Sequence, residues 1–516
     1  MIPRVKENNM SSSTASGIFV AEAGPTSGRE GIPKTVLDPK AIESWADDLF
    51  GKALSEHRFS GLGISVTEGD QALFQKGYGY QDWATKIPVA TDRTQFRIGS
   101  LTKTFVATCI LQLFERGQIK SLEDPANKYI KRFQFKPNGG EEVTVWDLLT
   151  HRAGFGHPKK LHVDRYAFQL PVPGTVLAAF RPNYVRPRDS LCVYCNYCFS
   201  MLGVIVEDVS RKTIADYLRE EIFVPLGMYN TELHIGRSPT PDTIVQYAFV
   251  PNGPALALPY PPCPALVAPD GCIISTPADM SKWLIANINE GGQAANKVLA
   301  PSSWKLAHTR HRANHPDTNG FGTAFFIYNY NGEKVLEHPG LFEHRSMELM
   351  LMDSKVGIFI TMAGGGEPGP RAEVCGAVQR AVAGPVGQAV SNNGARAHIL
   401  EHFLGMLPFT KDPAADVSKY VGRYREIPSM QDPNSPYARG TIPGANEITV
   451  IPSGDGGLII GGRGVYRPSG KDIFTLERTL ELEAGYANRY IFETDAAGQI
   501  RALYQHVNAG GYERLN

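Results

Sequence analysis

Apolar residues at Ala41, Ile42, Trp45, Leu49, Ala53 and Leu54 recur with helical spacing, which predicts an amphipathic helix over residues 38–57. The pattern then changes. Residues 61–67 and 71–78 are rich in apolar and β-forming positions and flank Glu68-Gly69-Asp70, so they predict two strands joined by a hairpin turn. A further extended run, Phe96 to Gly99, then turns into a helix. Residues 120–260 read as mainly helical with long loops, some of them proline-rich, as in Val172-Pro173-Gly174 and Pro251 to Pro264. Residues 322–330 and 356–363 return to strand patterning, with Lys334-Val335-Leu336 and Met347 to Met352 read as paired strands between them. A closing helix is expected over residues 373–382. The order predicts an α+β domain: an antiparallel sheet backed by terminal helices, plus a helical subdomain.

The composition shifts near residues 384–394. After a short helix at 395–407, apolar segments at 420–424, 447–451, 457–460, 472–476 and 489–492 alternate with turn residues, which predicts a second, antiparallel β domain. The expected division is a flexible tail at 1–36, a main domain at 37–394, a linker helix at 395–412 and the β domain at 413–516.

The candidate chemistry begins where the extended run Phe96-Arg97-Ile98-Gly99 enters this helix at Ser100-Leu101-Thr102-Lys103. Residues at i and i+3 share a helical face, so hydroxyl and amine come within reach of one another. A serine hydroxyl needs a base to take its proton, and a desolvated lysine can serve. Downstream, Tyr194 and Asn196 are two apart and point the same way in an extended segment. A phenol beside the lysine can shuttle a proton, and an amide can orient lysine and substrate. His338-Pro339-Gly340-Leu341 then places a glycine where a strand backbone can approach a substrate closely. The following amide could pair with the N–H of Ser100 as an oxyanion hole.

Ser-x-x-Lys, Tyr-x-Asn and His-x-Gly, in that order, resemble the serine β-lactamase-like family, the branch with class C β-lactamases, D-aminopeptidases, DD-peptidases, type VIII-like esterases and some fungal acyltransferases. Further matching segments are Thr104 to Gly117, which resembles the family's nucleophile helix, Leu122 to Ile130, Thr144 to Gly154 and Gly271 to Met280, so the similarity extends over about residues 40–385. It implies the β-lactamase/DD-peptidase-like α/β sandwich with a helical subdomain, and the C-terminal segment resembles the lipocalin-like barrel appended to some relatives. It also implies roles. Ser100 would be acylated, Lys103 and Tyr194 would share base and acid duty, and Asn196 would position Lys103 and the substrate. The N–H groups of Ser100 and Leu341 would form the oxyanion hole. His338 stands where most β-lactamases carry lysine, which makes a β-lactam substrate less favoured. After Gly340 the chain departs from the glycine-rich family pattern. Glu343, His344 and Arg345 are expected to crowd and charge the mouth of the site, with Arg345 and His344 as candidates for a substrate carboxylate.

The remaining composition narrows the classes. The 516 residues allow about two to four domains, and 42% hydrophobic residues suffice for a large core. Lys plus Arg and Asp plus Glu are 52 each, which argues against nucleic acid or an anionic membrane as partner. No apolar run reaches the roughly eighteen residues of a membrane span, and residues 1–29 are polar without an apolar leader core, so the expected location is cytoplasmic. The seven cysteines are therefore expected to be reduced, and Cys192, Cys195 and Cys198 to be small buried residues. His308, His311 and His315 could suggest zinc, but arginines intervene and no carboxylate is close, so a solvated loop is preferred. His151 is expected to support the site, and Tyr78, Tyr80 and Trp83 to pack or to touch substrate. No cofactor or metal is implied. The resulting expectation is a serine hydrolase acting on a small ester or amide through an acyl-enzyme on Ser100. Alternatives are transfer of the acyl group to a small-molecule acceptor, as in secondary metabolism, or a non-catalytic ligand-binding relative. The oligomeric state is open, with a homodimer among the options.

Overall fold

The computed structural model describes residues 37–364 and 416–515, apart from 157–167, 237, 250–253, 291, 293–297, 317, 331, 427–446, 455, 461–464, 471, 477–488, 496 and 506–510. The expected tail, the closing helix at 373–382, the linker helix and Cys375 lie outside the described residues.

The N-terminal helix starts at Asp38, whose carboxylate accepts the N–H of Lys40 (3.0 Å), and runs through Pro39–Ala46, one wider π turn at Asp47–Gly51 and Lys52–Ser55. The chain then builds an eight-stranded sheet, β3-β2-β1-β13-β12-β11-β10-β9. Its strands are β1 (Gly61–Glu68), β2 (Gln71–Asp82), β3 (Ile87–Pro88), β9 (Gly320–Phe321), β10 (Phe326–Tyr330), β11 (Glu333–Leu341), β12 (Arg345–Leu351) and β13 (Val356–Ala363). Every neighbouring pair is antiparallel. The first and last strands of this sheet in chain order, β1 and β13, pair near its centre, where Ile64 lies opposite Ile360.

Both faces of this sheet are buried. Leu62, Ile64, Val66, Met347, Leu349, Ile358 and Ile360 face the N-terminal helix through Ile42, Ala46 and Phe50. The alternate positions Leu336, Met350 and Phe359 face a larger core made with the helical subdomain. At its centre lies the Thr102–Glu115 helix, buried from Thr102 to Leu113. A helix apolar on all sides needs neighbours all round. These include the Asn196–Ser210 helix and the Pro277–Ile288 helix, whose Trp283 stacks on Phe105 (4.0 Å between centroids) and donates to Glu348 (2.9 Å). A three-stranded sheet that the sequence pattern hid, β4-β8-β5, links this region. Its strands, β4 (Phe96–Arg97), β5 (Glu232–Leu233) and β8 (Ile273–Ser275), are too short for alternation to register. A hairpin of β6 (Tyr247–Phe249) and β7 (Ala255–Ala257) completes the domain.

The C-terminal segment closes into an eight-stranded antiparallel barrel: β14 (Gly422–Glu426), β15 (Glu447–Pro452), β16 (Leu458–Ile460), β17 (Val465–Gly470), β18 (Ile473–Leu476), β19 (Arg489–Thr494), β20 (Ile500–Gln505) and β21 (Gly511–Leu515). Pairing of β14 with β21 closes it, around Tyr424, Tyr466, Phe474, Phe492 and Leu503. The pattern had suggested five strands; β17, β20 and β21 are the additional ones.

The cysteine expectation is corrected. Cys195–Cys198 and Cys263–Cys272 are disulfides, while Cys109 and Cys192 are free and buried. Composition sets an expectation for the compartment, whereas pairing depends on which side chains the fold brings together. No helix among the described residues is long and apolar enough to cross a membrane.

One close packing contact fixes the subdomain. A Cβ on Gly203 would lie 2.3 Å from the Pro269 ring. Gly203→Ala should therefore push the Asn196–Ser210 helix off the segment that carries Asp270 and cost about 1–3 kcal/mol, measured as a lowered denaturant midpoint at unchanged slope.

Candidate active site

Ser100 lies in a tight 3₁₀ turn, Gly99–Leu101, that feeds the central helix one turn before Lys103. Gly99 takes φ +60°, which turns the chain out of β4. Lys103 is fully buried. Its Nζ donates to Ser100 Oγ (3.1 Å) and to the backbone carbonyl of Asp270 (2.5 Å). Burial lowers its pKa to about 8, and the charge of the Asp270 carboxylate works in the opposite direction. Asp270 is half-buried, and desolvation raises its carboxyl to about 6 against the pull of Lys103 and of a hydrogen bond from Ser200 Oγ (3.0 Å). Sequence reasoning missed Asp270. Its only local signal is a carboxylate between Pro269 and Gly271 in an otherwise apolar stretch.

Tyr194 closes the site. The Lys103 ammonium lies 5.0 Å from the Tyr194 ring centroid and 6.0 Å from that of Phe199. Desolvation drives the Tyr194 hydroxyl pKa far above the ordinary phenol value, against an opposing pull from the Ser100 side chain. The hydroxyl lies 3.5 Å from His338 Nε2. His338 Nδ1 is 2.8 Å from Pro339 O. A carbonyl only accepts, so Nδ1 carries the hydrogen and Nε2 faces Tyr194 as an acceptor. Two further residues hold the Tyr194 segment. Asn314 accepts from Cys192 N (2.8 Å) and donates to Cys192 O (2.9 Å), as a neighbouring strand would. His151 accepts from Cys195 N (2.9 Å) through Nδ1, and its ring lies against Tyr194 (4.8 Å). Burial, with the nearby Lys103 charge, holds His151 well below the usual imidazole range, so it acts as a neutral acceptor.

The nucleophile turn and β11 touch backbone to backbone. A Cβ on Gly99 would lie 2.7 Å from Leu341 N, and one on Gly340 would lie 2.0 Å from Ile98 O. Glycine at both positions lets Leu341 N approach the turn that carries Ser100.

The structure brings Ser100, Lys103, Tyr194, His338, Gly340 and the Leu341 backbone together and separates Asn196 and Arg345 from them. Asn196 is the first residue of its helix and is exposed; it makes no hydrogen bond to Lys103, whose other acceptor is Asp270 O. Arg345 does not face Ser100. Strand alternation puts it on the face of Met347 and Leu349, opposite that of His338 and Gly340. Glu343 and His344 do not crowd the mouth either, since both are buried. Glu343 pairs with Arg97 (2.9 Å), and His344 Nδ1 accepts from Arg97 N (2.8 Å). Sequence spacing could not show that they turn inward to meet a partner some 246 residues away.

His308 and His311 are also committed elsewhere: His308 Nε2 bonds Asn287 (3.2 Å), and His311 Nε2 donates to Leu306 O (2.7 Å). His308 is fully buried, which corrects the expectation of a solvated loop there. Among the described residues, no three His, Cys, Asp or Glu side chains are arranged to hold a metal.

Comparison with known proteins gives a consistent result. The chain matches the family described as Beta-lactamase over residues 46–382. It is 23% identical over 310 residues to Protein flp of Staphylococcus aureus (strain MRSA252), covering 59% of each chain. It is 28% identical over 253 residues to the putative penicillin-binding protein PbpX of Bacillus subtilis (strain 168), covering 48% of this chain and 61% of that one. The chain thus spans about three-fifths of the length of these curated relatives. Among solved structures, it is similar to the octameric penicillin-binding protein homologue from Pyrococcus abyssi (21% identity, 92% of this chain, 100% of that chain, TM-score 0.54). It is also similar to SurE (18% identity, 92% and 99%, TM-score 0.57). At these identities the structural likeness bears on the fold alone, but the family match covers most of the chain, and so the protein belongs to the beta-lactamase family.

Proposed function

We propose that this protein is a serine hydrolase that acylates Ser100 with a small ester or amide and then transfers the acyl group to water. The observation that carries this reading is the buried Lys103 Nζ at 3.1 Å from Ser100 Oγ, with its pKa lowered while that of Tyr194 is raised. The opposite shifts divide the labour. Lys103, in its neutral form, takes the proton as Ser100 Oγ attacks the carbonyl carbon. Tyr194 keeps its proton at neutral pH and so is the donor within the site. It gives that proton to the leaving oxygen or nitrogen as the carbonyl–leaving-group bond breaks, and Lys103 restores it. In the second half, neutral Lys103 takes a proton from a water whose oxygen attacks the acyl carbon, and gives it to Ser100 Oγ as the acyl–oxygen bond breaks, which releases the acid and restores the free serine. The N–H groups of Ser100 and Leu341 are the donors for the oxyanion, whose charge develops only in the transition state.

Water is the acceptor in this reading. Transfer to an alcohol or amine would show as an acylated acceptor in product analysis. A small, uncharged acyl donor fits a site in which the buried Lys103 is already engaged by the Asp270 carbonyl and the Tyr194 ring.

Intact mass spectrometry after incubation with a fluorophosphonate should show one adduct on the wild type and none on Ser100→Ala. Hydrolysis of p-nitrophenyl acetate should fall about 10³-fold or more in the variant. An adduct on Ser100→Ala, or none on either protein, would count against the reading.

The pH dependence has a defined sign. The active form of Lys103 is the neutral one, populated above its pKa, so kcat/KM should rise with pH and level off above about 8. Asp270→Asn removes the negative charge that favours the ammonium form. The rising limb should therefore move to lower pH in the variant, as read from the pH profile of the acylation rate.

A further inference from the structure

The two candidate oxyanion donors sit on segments far apart in sequence, and one buried cluster ties those segments together. Arg97, at the end of β4, is three residues before Ser100. His344, in the turn between β11 and β12, is three residues after Leu341. Arg97 N donates to His344 Nδ1 (2.8 Å) and Arg97 Nη1 to Glu343 Oε2 (2.9 Å), so backbone and side chain of one residue both hold the turn. The turn is braced further by Phe342 N on His344 O (3.1 Å) and by Gln246 Nε2 on Glu343 O (2.9 Å). The Arg97 guanidinium packs against Tyr260 (4.3 Å to the ring centroid) and Phe342 (4.6 Å), and Nη1 also reaches Pro261 O (3.1 Å). Arg97 has no exposed surface, and the Glu343 side chain is 4% exposed.

We propose that Arg97, Glu343 and His344 form a positioning clamp that sets the distance between the Ser100 and Leu341 N–H groups, and hence the oxyanion hole. A buried ion pair is a poor source of net stability, because desolvation offsets the attraction, but it accepts only a narrow geometry. Here that geometry is imposed three residues from each donor. The close backbone contacts at Gly99 and Gly340 leave no slack between the segments. His344 suits the task as a neutral acceptor: burial and the Arg97 charge hold its pKa near 3. The clamp acts through backbone placement and does not touch substrate. The proposal rests on the acyl-enzyme reading above.

The test is the rate of Ser100 acylation, read as the p-nitrophenyl acetate burst and as the second-order rate of fluorophosphonate labelling, in His344→Leu and His344→Asn. Leucine removes the acceptor; asparagine places Oδ1 where Nδ1 was and can accept from Arg97 N. His344→Leu should acylate about 10²-fold more slowly at unchanged KM, the loss typical of a misplaced oxyanion donor, and His344→Asn should recover most of that rate. Equal rates in His344→Leu and wild type, or equal deficits in both folded variants, would overturn the clamp. If His344→Leu does not fold, Glu343→Gln serves. It leaves Arg97 without its counter-charge and should slow acylation at unchanged KM, and a wild-type rate would overturn the proposal. Failure of the wild type to label would instead remove the acyl-enzyme reading, and the clamp with it.

Discussion

Removal of Lys103 from water is the constraint on which the rest of this structure depends. An ammonium group in a dry interior is costly, and the neutral amine is the cheaper form. The fold meets that cost in three ways: a carbonyl oxygen accepts from Nζ, two aromatic faces lie beside it, and a half-buried carboxylate stands nearby. The lysine stays partly titratable near neutral pH, as a base for serine requires. To achieve this the central helix must be enclosed on every side, which explains why its apolar surface runs all round rather than along one stripe.

Enclosure demands that loops be held as firmly as core elements. The Tyr194 segment is not part of any sheet, yet Asn314 pairs with the backbone of Cys192, His151 accepts from Cys195 N, and the Cys195–Cys198 disulfide begins the following helix. The Asp270 segment is treated similarly: Cys263–Cys272 closes the loop that carries it, and Pro269 packs against Gly203. Both disulfides thus restrain chain that contacts Lys103 or its neighbours, where freedom would admit water and restore the lysine to its ordinary basicity.

The sheet contributes through alternation and through close backbone approach. Strand β11 continues beyond Glu337, the last residue opposite β10, and a Cβ on Gly340 would lie 2.0 Å from Ile98 O beside the Ser100 turn. Alternation then sorts the side chains: His338 and Gly340 face Tyr194 and Ile98, while Pro339, Leu341 and Arg345 face away. Leu341 therefore meets the Ser100 turn through its backbone N, while its side chain faces away.

Much of this was legible in the sequence. The spacing of Ser100 and Lys103 and the glycine after His338 follow from helix and strand periodicity, because each relation spans one turn or one pleat; Tyr194 is identified through the family resemblance, and its expected one-pleat partner Asn196 instead begins a helix and is exposed. The family resemblance carried by those motifs matched the fold, and the turn-punctuated strands beyond residue 413 announced a barrel. What only the tertiary structure decided lies at longer range. Asp270 meets Lys103 from 167 residues away, and Glu343 and His344 turn inward because Arg97 waits for them across 246 and 247 residues. Arg345 falls on the far face through the register of a hairpin, and the cysteines pair because loops bring them together. Local pattern fixes what a residue can do with its near neighbours. Burial and charge partners depend on how the whole chain closes, and here they decide which groups ionise and which merely hold others in place.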